Sequence, residues 1–212
     1  MFHPHIRKTV RMSTASTTGI RPTLASVLWP ATAGSSALRS LALAVGGTVL
    51  LWLSAKIQVP LLPVPITMQT LAVLALGVAY GPRLGAATMA LYLAEAAVGL
   101  PVLAGGWSEG GGIRHLYGPT AGYLAGFVAA AAVSGRLAER GWDRTIWRAG
   151  AAMVTGNLII YVLGLAWLTY LIGLADAIKY GLLPFLAGDA LKIALGACAL
   201  PTAWRGIGRR KA

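Results

Sequence analysis

Six apolar stretches, at about 37–54, 66–80, 84–100, 120–137, 146–174 and 182–204, follow one another with short connections, and they restrict the fold more than any other feature of the chain. A backbone crossing hydrocarbon must satisfy every N–H and C=O internally, so runs of this length and apolarity fold as membrane helices. A chain that is 57% hydrophobic and only 11% charged carries too little polar surface for a water-soluble domain. The expected fold class is therefore an all-α integral membrane protein with six transmembrane helices. The second stretch, at about 15 residues and 1.5 Å per residue, reaches only about 22 Å and requires shielding by its neighbours.

The distribution of charge sets the orientation. The chain has 18 Lys and Arg against 6 Asp and Glu, a formal net charge of +12. Such a balance raises the question of nucleic acid, but the basic residues cluster at the ends of apolar stretches and no run interleaves them with aromatics. No nucleic-acid partner is expected. Fourteen of the 18 fall at the termini and in the loops sharing their side, and only Lys56, Arg114 and Lys179 fall in the opposite loops. By the positive-inside rule both termini are cytoplasmic. Residues 1–36, with a Ser/Thr-rich stretch and Pro22 and Pro30, read as a disordered basic cytoplasmic tail, and 205–212 as a second basic tail around the membrane domain of 37–204. No cleavage site followed by a soluble domain marks the N-terminus as a removable signal peptide.

Within the last apolar stretch stands Gly188-Asp189-Ala190-Leu191-Lys192. Three residues apart on a helix, Asp189 and Lys192 leave the same face about one turn from each other. A charge at membrane depth costs roughly 2.5–3.5 kcal/mol on insertion scales, so such residues face a bundle interior and serve a pathway or a ligand. Two readings stand, a ligand site and a salt bridge that only ties helices. Glu95 and Asn157 are further polar groups at depth, which either line the same cavity or satisfy a neighbouring helix. Gln69, beside the proline-rich connection 56–65, has an amide that both donates and accepts. Trp107, Tyr117 and Tyr123 lie in or beside the connection 101–119, where an interfacial aromatic belt is the alternative to ligand contact. In the first stretch Ser36, Ser40 and Ala44 form one line of small residues, and Ala42 and Gly46 another, permitting close approach of a helix from inside or outside the protein.

Several chemistries find no support in the residues. There is no GxxxxGK[ST] phosphate loop, no Ser/His/Asp, Cys/His or paired-carboxylate arrangement, and no metal-ligand spacing around His3, His5 or His115. The single Cys198 reads as a packing residue. An enzyme is not expected. Binding and translocation of a small amphiphilic acid fit the two charges best.

Four ordered blocks, Val64-Pro65-Ile66-Thr67-Met68-Gln69-Thr70, Gly99-Leu100-Pro101-Val102 with the glycine-rich run after it, Gly118-Pro119-Thr120-Ala121-Gly122-Tyr123-Leu124-Ala125-Gly126-Phe127, and Gly188-Asp189-x-x-Lys192, resemble the signature blocks of BioY-type biotin transporters. These are substrate-binding S components of energy-coupling-factor (ECF) transporters. The resemblance spans about residues 37–204. It implies a six-helix protein of the cell membrane that binds biotin with high affinity near the outer face, and that works with a transmembrane coupling protein and two cytoplasmic ATPases. It implies no cofactor beyond the ligand, and partners limited to biotin, those subunits and membrane lipid. By resemblance Asp189 and Lys192 contact the ligand. On charge alone, Asp189 is expected to accept from the ureido N–H groups and Lys192 to pair with the valerate carboxylate, because the inverse would bring that carboxylate beside Asp189. The loops before Gln69 and around Trp107 resemble the family's lid. The family's Ala-xxx-Ala docking pattern finds its nearest matches in Ser40/Ala44 and Ala42/Gly46. A solitary carrier working without ATPases, with Asp189, Lys192 or Glu95 relaying a proton, is the competing reading.

Overall fold

The computed structural model describes residues 21–30, 36–104 and 116–210. Its elements are α1 (Leu24–Leu28), α2 (Ser36–Lys56), β1 (Gln58–Val59), β2 (Ile66–Thr67), α3 (Gln69–Tyr80), α4 (Pro82–Ala97), α5 (Ala121–Glu139), α6 (Ile146–Ile172), α7 (Leu174–Gly181) and α8 (Leu186–Arg210). The architecture is all-α, apart from the two-residue strands, which pair antiparallel as Gln58 with Thr67 and Val59 with Ile66. That pairing moves the start of the second expected helix from Ile66 to Gln69, because Ile66 and Thr67 are spent on the hairpin.

Each of the six expected apolar stretches contains one helix, with ends displaced by local chemistry. Gly81, at φ +84°, closes α3 by donating its N–H to Gly77 O (2.9 Å), and Pro82 then opens α4 without an N–H to satisfy. One residue therefore turns the chain between two antiparallel helices. Gly173, at φ +85°, likewise ends α6 and starts the short amphipathic α7, which no apolar period announces. Four helical stretches are long and apolar enough to cross a membrane: Ser36–Lys56, Ala121–Glu139, Ile146–Ile172 and Leu174–Ile207, the last taking in α7 and most of α8. The 12-residue α3 is too short to do so unaided, and it is wrapped by its neighbours, with Val73, Leu74 and Val78 almost wholly buried.

Lipid tails are as apolar as leucine, so close packing rather than water exclusion holds such helices together. The central helix α5 shows this. Gly122 and Gly126 bring it against Ile160, Leu163 and Gly164 of α6, and a Cβ added at Gly126 would lie 2.9 Å from Ile160 Cα. On its other side Ala131 accepts the backbone of Gly77 so closely that a Cβ there would meet Ala131 O at 2.7 Å.

At the basic end of the bundle residues 21–30 and the C-terminal part of α8 converge on the α5–α6 turn. Asp143 is 1% exposed and accepts from Trp204 Nε1. Arg144 forms an ion pair with it (3.3 Å), lies over the Trp204 ring (3.4 Å to the centroid) and donates to Pro22 O (3.0 Å). The expected disorder of residues 1–36 does not extend through 21–30. There Leu24 and Ala25 of α1 are buried, Arg21 N donates to Glu139 O (2.7 Å), and the Arg39 guanidinium donates to Ala25 O (2.7 Å) and Trp29 O. A few apolar residues and two arginines, Arg39 and Arg144, dock this segment.

Candidate functional site

A cavity of about 370 Å³ lies at the end of the bundle opposite the Asp143–Trp204 knot. Its walls are mostly apolar: Leu124 and Phe127 from α5, Ile160 from α6, Phe185 ahead of α8, and Pro63–Pro65 and Leu103–Ala104 from the connections. Four helices supply most of its polar groups, Gln69 and Thr70 at the start of α3, Tyr123 on α5, Asn157 and Tyr161 on α6, and Asp189 and Lys192 at the start of α8, with Thr67 of β2 and Thr120 just before α5 beside them.

Five of these groups, Thr70, Asn157, Tyr161, Asp189 and Lys192, form one network around the Asp189 carboxylate. Oδ1 accepts from Lys192 Nζ (2.9 Å) and from Thr70 Oγ1 (3.4 Å), while Oδ2 accepts from Asn157 Nδ2 (3.1 Å) and from the Tyr161 hydroxyl. Lys192 Nζ also donates to Thr70 Oγ1 (3.0 Å). Asp189 and Lys192 are 5% and 6% exposed, so the pair is neutralised internally before any ligand arrives. Asp189 stands in the first turn of α8, where unpaired backbone N–H groups favour an anion. Four donors converging on one buried carboxylate fix its orientation, and Asn157 and Tyr161, one helical turn apart on α6, hold it from the far side.

A second polar chain leaves the cavity through Gln69, 4% exposed, whose Nε2 donates to Tyr92 OH (2.7 Å), which in turn donates to Val102 O. Tyr123 OH donates to Gly181 O (2.8 Å), tying α5 to the end of α7 beside the cavity.

Of the residues expected at the site, Asp189, Lys192, Gln69, Asn157 and Tyr123 line this one cavity. Two do not. Glu95 is half-buried on α4, and α4 packs behind α3 and α5 and contributes no lining residue, so depth in the membrane did not translate into facing the cavity. Tyr117 is 68% exposed and points away, leaving its neighbour Gly118 at the wall. Trp107 lies outside the described residues. Thr70 and Tyr161 were not anticipated, although Tyr161 follows Asn157 at i+4 and Thr70 closes the Val64–Thr70 block. The docking set divides as well. Ala44 is buried with Gly47, Thr48 and Leu51 on the inner face of α2, so it offers no surface to a partner, and Ser40 is half-buried. Ala42 and Gly46 are exposed, and a Cβ at Gly46 would meet nothing within 4 Å.

A bundle of membrane-length helices enclosing an apolar-walled cavity with a single neutralised charge pair is the design of a multi-pass cell-membrane protein that sequesters a small, partly polar solute. Comparison with known proteins narrows that class. The BioY family model matches residues 23–209, and the chain belongs to the BioY family. It is 37% identical over 140 residues to the probable biotin transporter BioY of Pyrococcus horikoshii, covering 66% of this chain and 80% of that one. It is 37% identical over 157 residues to the biotin transporter BioY of Rhizobium etli (70% and 82% covered) and 38% identical over 151 residues to that of Thermotoga maritima (71% and 86% covered). In fold it is similar to the crystal structure of the S-component for biotin from an ECF-type ABC transporter, with a TM-score of 0.68, 23% identity, and 82% of this chain and 95% of the other covered.

Proposed function

We propose that this chain is the biotin-binding S component of an ECF-type transporter and takes up biotin across the cell membrane. The observation that carries the reading is the cavity with its Asp189–Lys192–Asn157–Tyr161 floor in a chain of the BioY family. Biotin joins a neutral ureido ring to an apolar thioether ring and a chain ending in a carboxylate. A neutral ring suits a neutralised pair: the Lys192 proton not given to Asp189 or Thr70 serves the ureido oxygen, and Asn157 Oδ1, engaged by no described residue, accepts from a ureido N–H. Asp189, already the acceptor for four donors, acts chiefly by holding these groups in place. A carboxylate at the same spot would add a buried negative charge beside Asp189, so the valerate end points away from the pair, reversing the pairing expected on charge alone. The apolar wall takes the rings and the methylene chain.

In this reading α2, α3, α4, α5, α6 and α8 are six spans within 37–204, the termini are cytoplasmic, and the cavity faces outward. The chain hydrolyses no ATP; a coupling protein and ATPase subunits supply the energy. Docking uses the outward face of α2 at Ala42 and Gly46. The space at Gly46 is open, so Gly46→Leu is tolerated by the monomer and obstructs a helix seated against it. In cells supplying the partner subunits, Gly46→Leu is expected to lower labelled-biotin uptake by about tenfold, the equivalent of roughly 1.4 kcal/mol of docking affinity, with binding by the purified variant unchanged. Unchanged uptake would remove this face from the docking surface.

A further inference from the structure

We propose that Lys56 is a positioning residue that latches the 101–104 segment over the cavity and slows escape of the bound solute, an inference that rests on the cavity being the ligand site. Residues 101–104 belong to no helix or strand, yet Leu103 and Ala104 form part of the cavity wall and Leu103 is buried. Their position depends on three successive carbonyls, each held by a side chain from another part of the fold. Lys56 Nζ, at the last residue of α2, donates to Pro101 O (3.1 Å) and Leu103 O (2.9 Å), and Tyr92 OH on α4 donates to Val102 O between them. Among the described residues, the segment's one main-chain bond outside these three runs from Val102 N back to Leu100 O (2.8 Å).

Lys56 is exposed at the end of an apolar helix, where a lysine would ordinarily extend its ammonium into interfacial water. Here the ammonium turns back onto two carbonyls, and bonds from a charged donor are about twice as strong as neutral ones. It touches no lining polar group of the Asp189 network, so its loss alters how long the wall stays closed rather than what the cavity recognises. The Tyr92 bond, backed by Gln69, holds the middle carbonyl and leaves the flanking two to Lys56 alone.

The test compares Lys56→Met, which keeps the length of the apolar stem and removes the donors, with Lys56→Arg, which keeps a charged donor. Dissociation of labelled biotin from the purified protein is expected to accelerate by about tenfold in the Met variant, with association within about twofold, and Arg should restore most of the slow dissociation. A purely structural role predicts instead a lower melting temperature with unchanged dissociation, and that result would overturn the latch. A second readout needs no ligand. With Ala104→Cys introduced in a Cys198→Ala background, maleimide labelling of position 104 should be at least about fivefold faster with Lys56→Met than without it. Equal labelling rates would overturn the proposal whether or not the protein binds biotin. Faster labelling in a protein that binds no biotin would sustain the latch and count against the assigned ligand.

Discussion

Asp189→Asn is expected to weaken biotin binding by about a hundredfold, roughly 2.8 kcal/mol, while the protein still inserts and purifies. The carboxylate accepts from Lys192 and Thr70 on one oxygen and from Asn157 and Tyr161 on the other. An amide of the same shape has one oxygen and one NH2, so whichever way it turns, its NH2 faces either the Lys192 ammonium or the Asn157 NH2, and only the hydroxyl beside it, of Thr70 or Tyr161, can turn to accept. Lys192, 6% exposed, also loses its counter-charge, and breaking a buried pair from one side costs about 3–5 kcal/mol where the remaining charge finds no other partner. Thr70 and the cavity relieve part of that, so the damage falls on the arrangement of the polar floor more than on the helices. Calorimetric titration of the purified variant measures the loss. Affinity within about twofold of the parent would show that the network holds the bundle together and not the ligand.

Gly122→Val is expected to destroy the folded bundle, lowering stability by about 3 kcal/mol or more. A Cβ at this position would enter the Leu163 carbonyl and Trp167 Cβ, with Gly164 Cα 3.1 Å away, and two of those three atoms are backbone that no rotamer change moves. The α5–α6 pair is the most extensively packed in the fold, and Tyr123, next in the chain, lines the cavity, so separation of these helices removes the site as well. Size-exclusion profile and melting temperature in detergent report the effect. Gly46→Val, on the open face of α2, is the control expected to melt with the parent. Equal melting of both variants with the parent would mean that the close α5–α6 approach does not hold the fold.

How much of this was legible in sequence depended on the kind of signal. Apolar runs located the six helices α2, α3, α4, α5, α6 and α8, because a helix set in apolar surroundings leaves a continuous apolar run, but they said nothing of α7, which is set off by positive-φ glycine at 173, or of α1, which is docked by Arg39 from outside its own segment. The pair Asp189 and Lys192 was visible because two charges three residues apart in an apolar run have few other uses. Glu95 and Tyr117 misled for one reason: sequence gives a residue's depth, while the cavity is defined by which way each helix faces, and α4 stands in the second layer. The same lack of facing information put Ala44 on the docking surface, when it is buried against the bundle. Tyr161 and Thr70 went unnoticed because a hydroxyl is unremarkable in a membrane helix until a carboxylate is placed opposite it. The family resemblance supplied the ligand, and the proposed placement of its carboxylate away from Lys192 rests on the four donors that already engage Asp189.

The central claim is tested most directly by titrating biotin into the purified chain in detergent, with no partner subunit present, beside the Lys192→Ala variant. One biotin per chain bound tightly by the parent, and weakened by at least about tenfold in the variant, is the result the Asp189–Lys192 floor predicts. A folded parent that binds no biotin, or a variant that binds it as tightly as the parent, would contradict the assignment of this cavity.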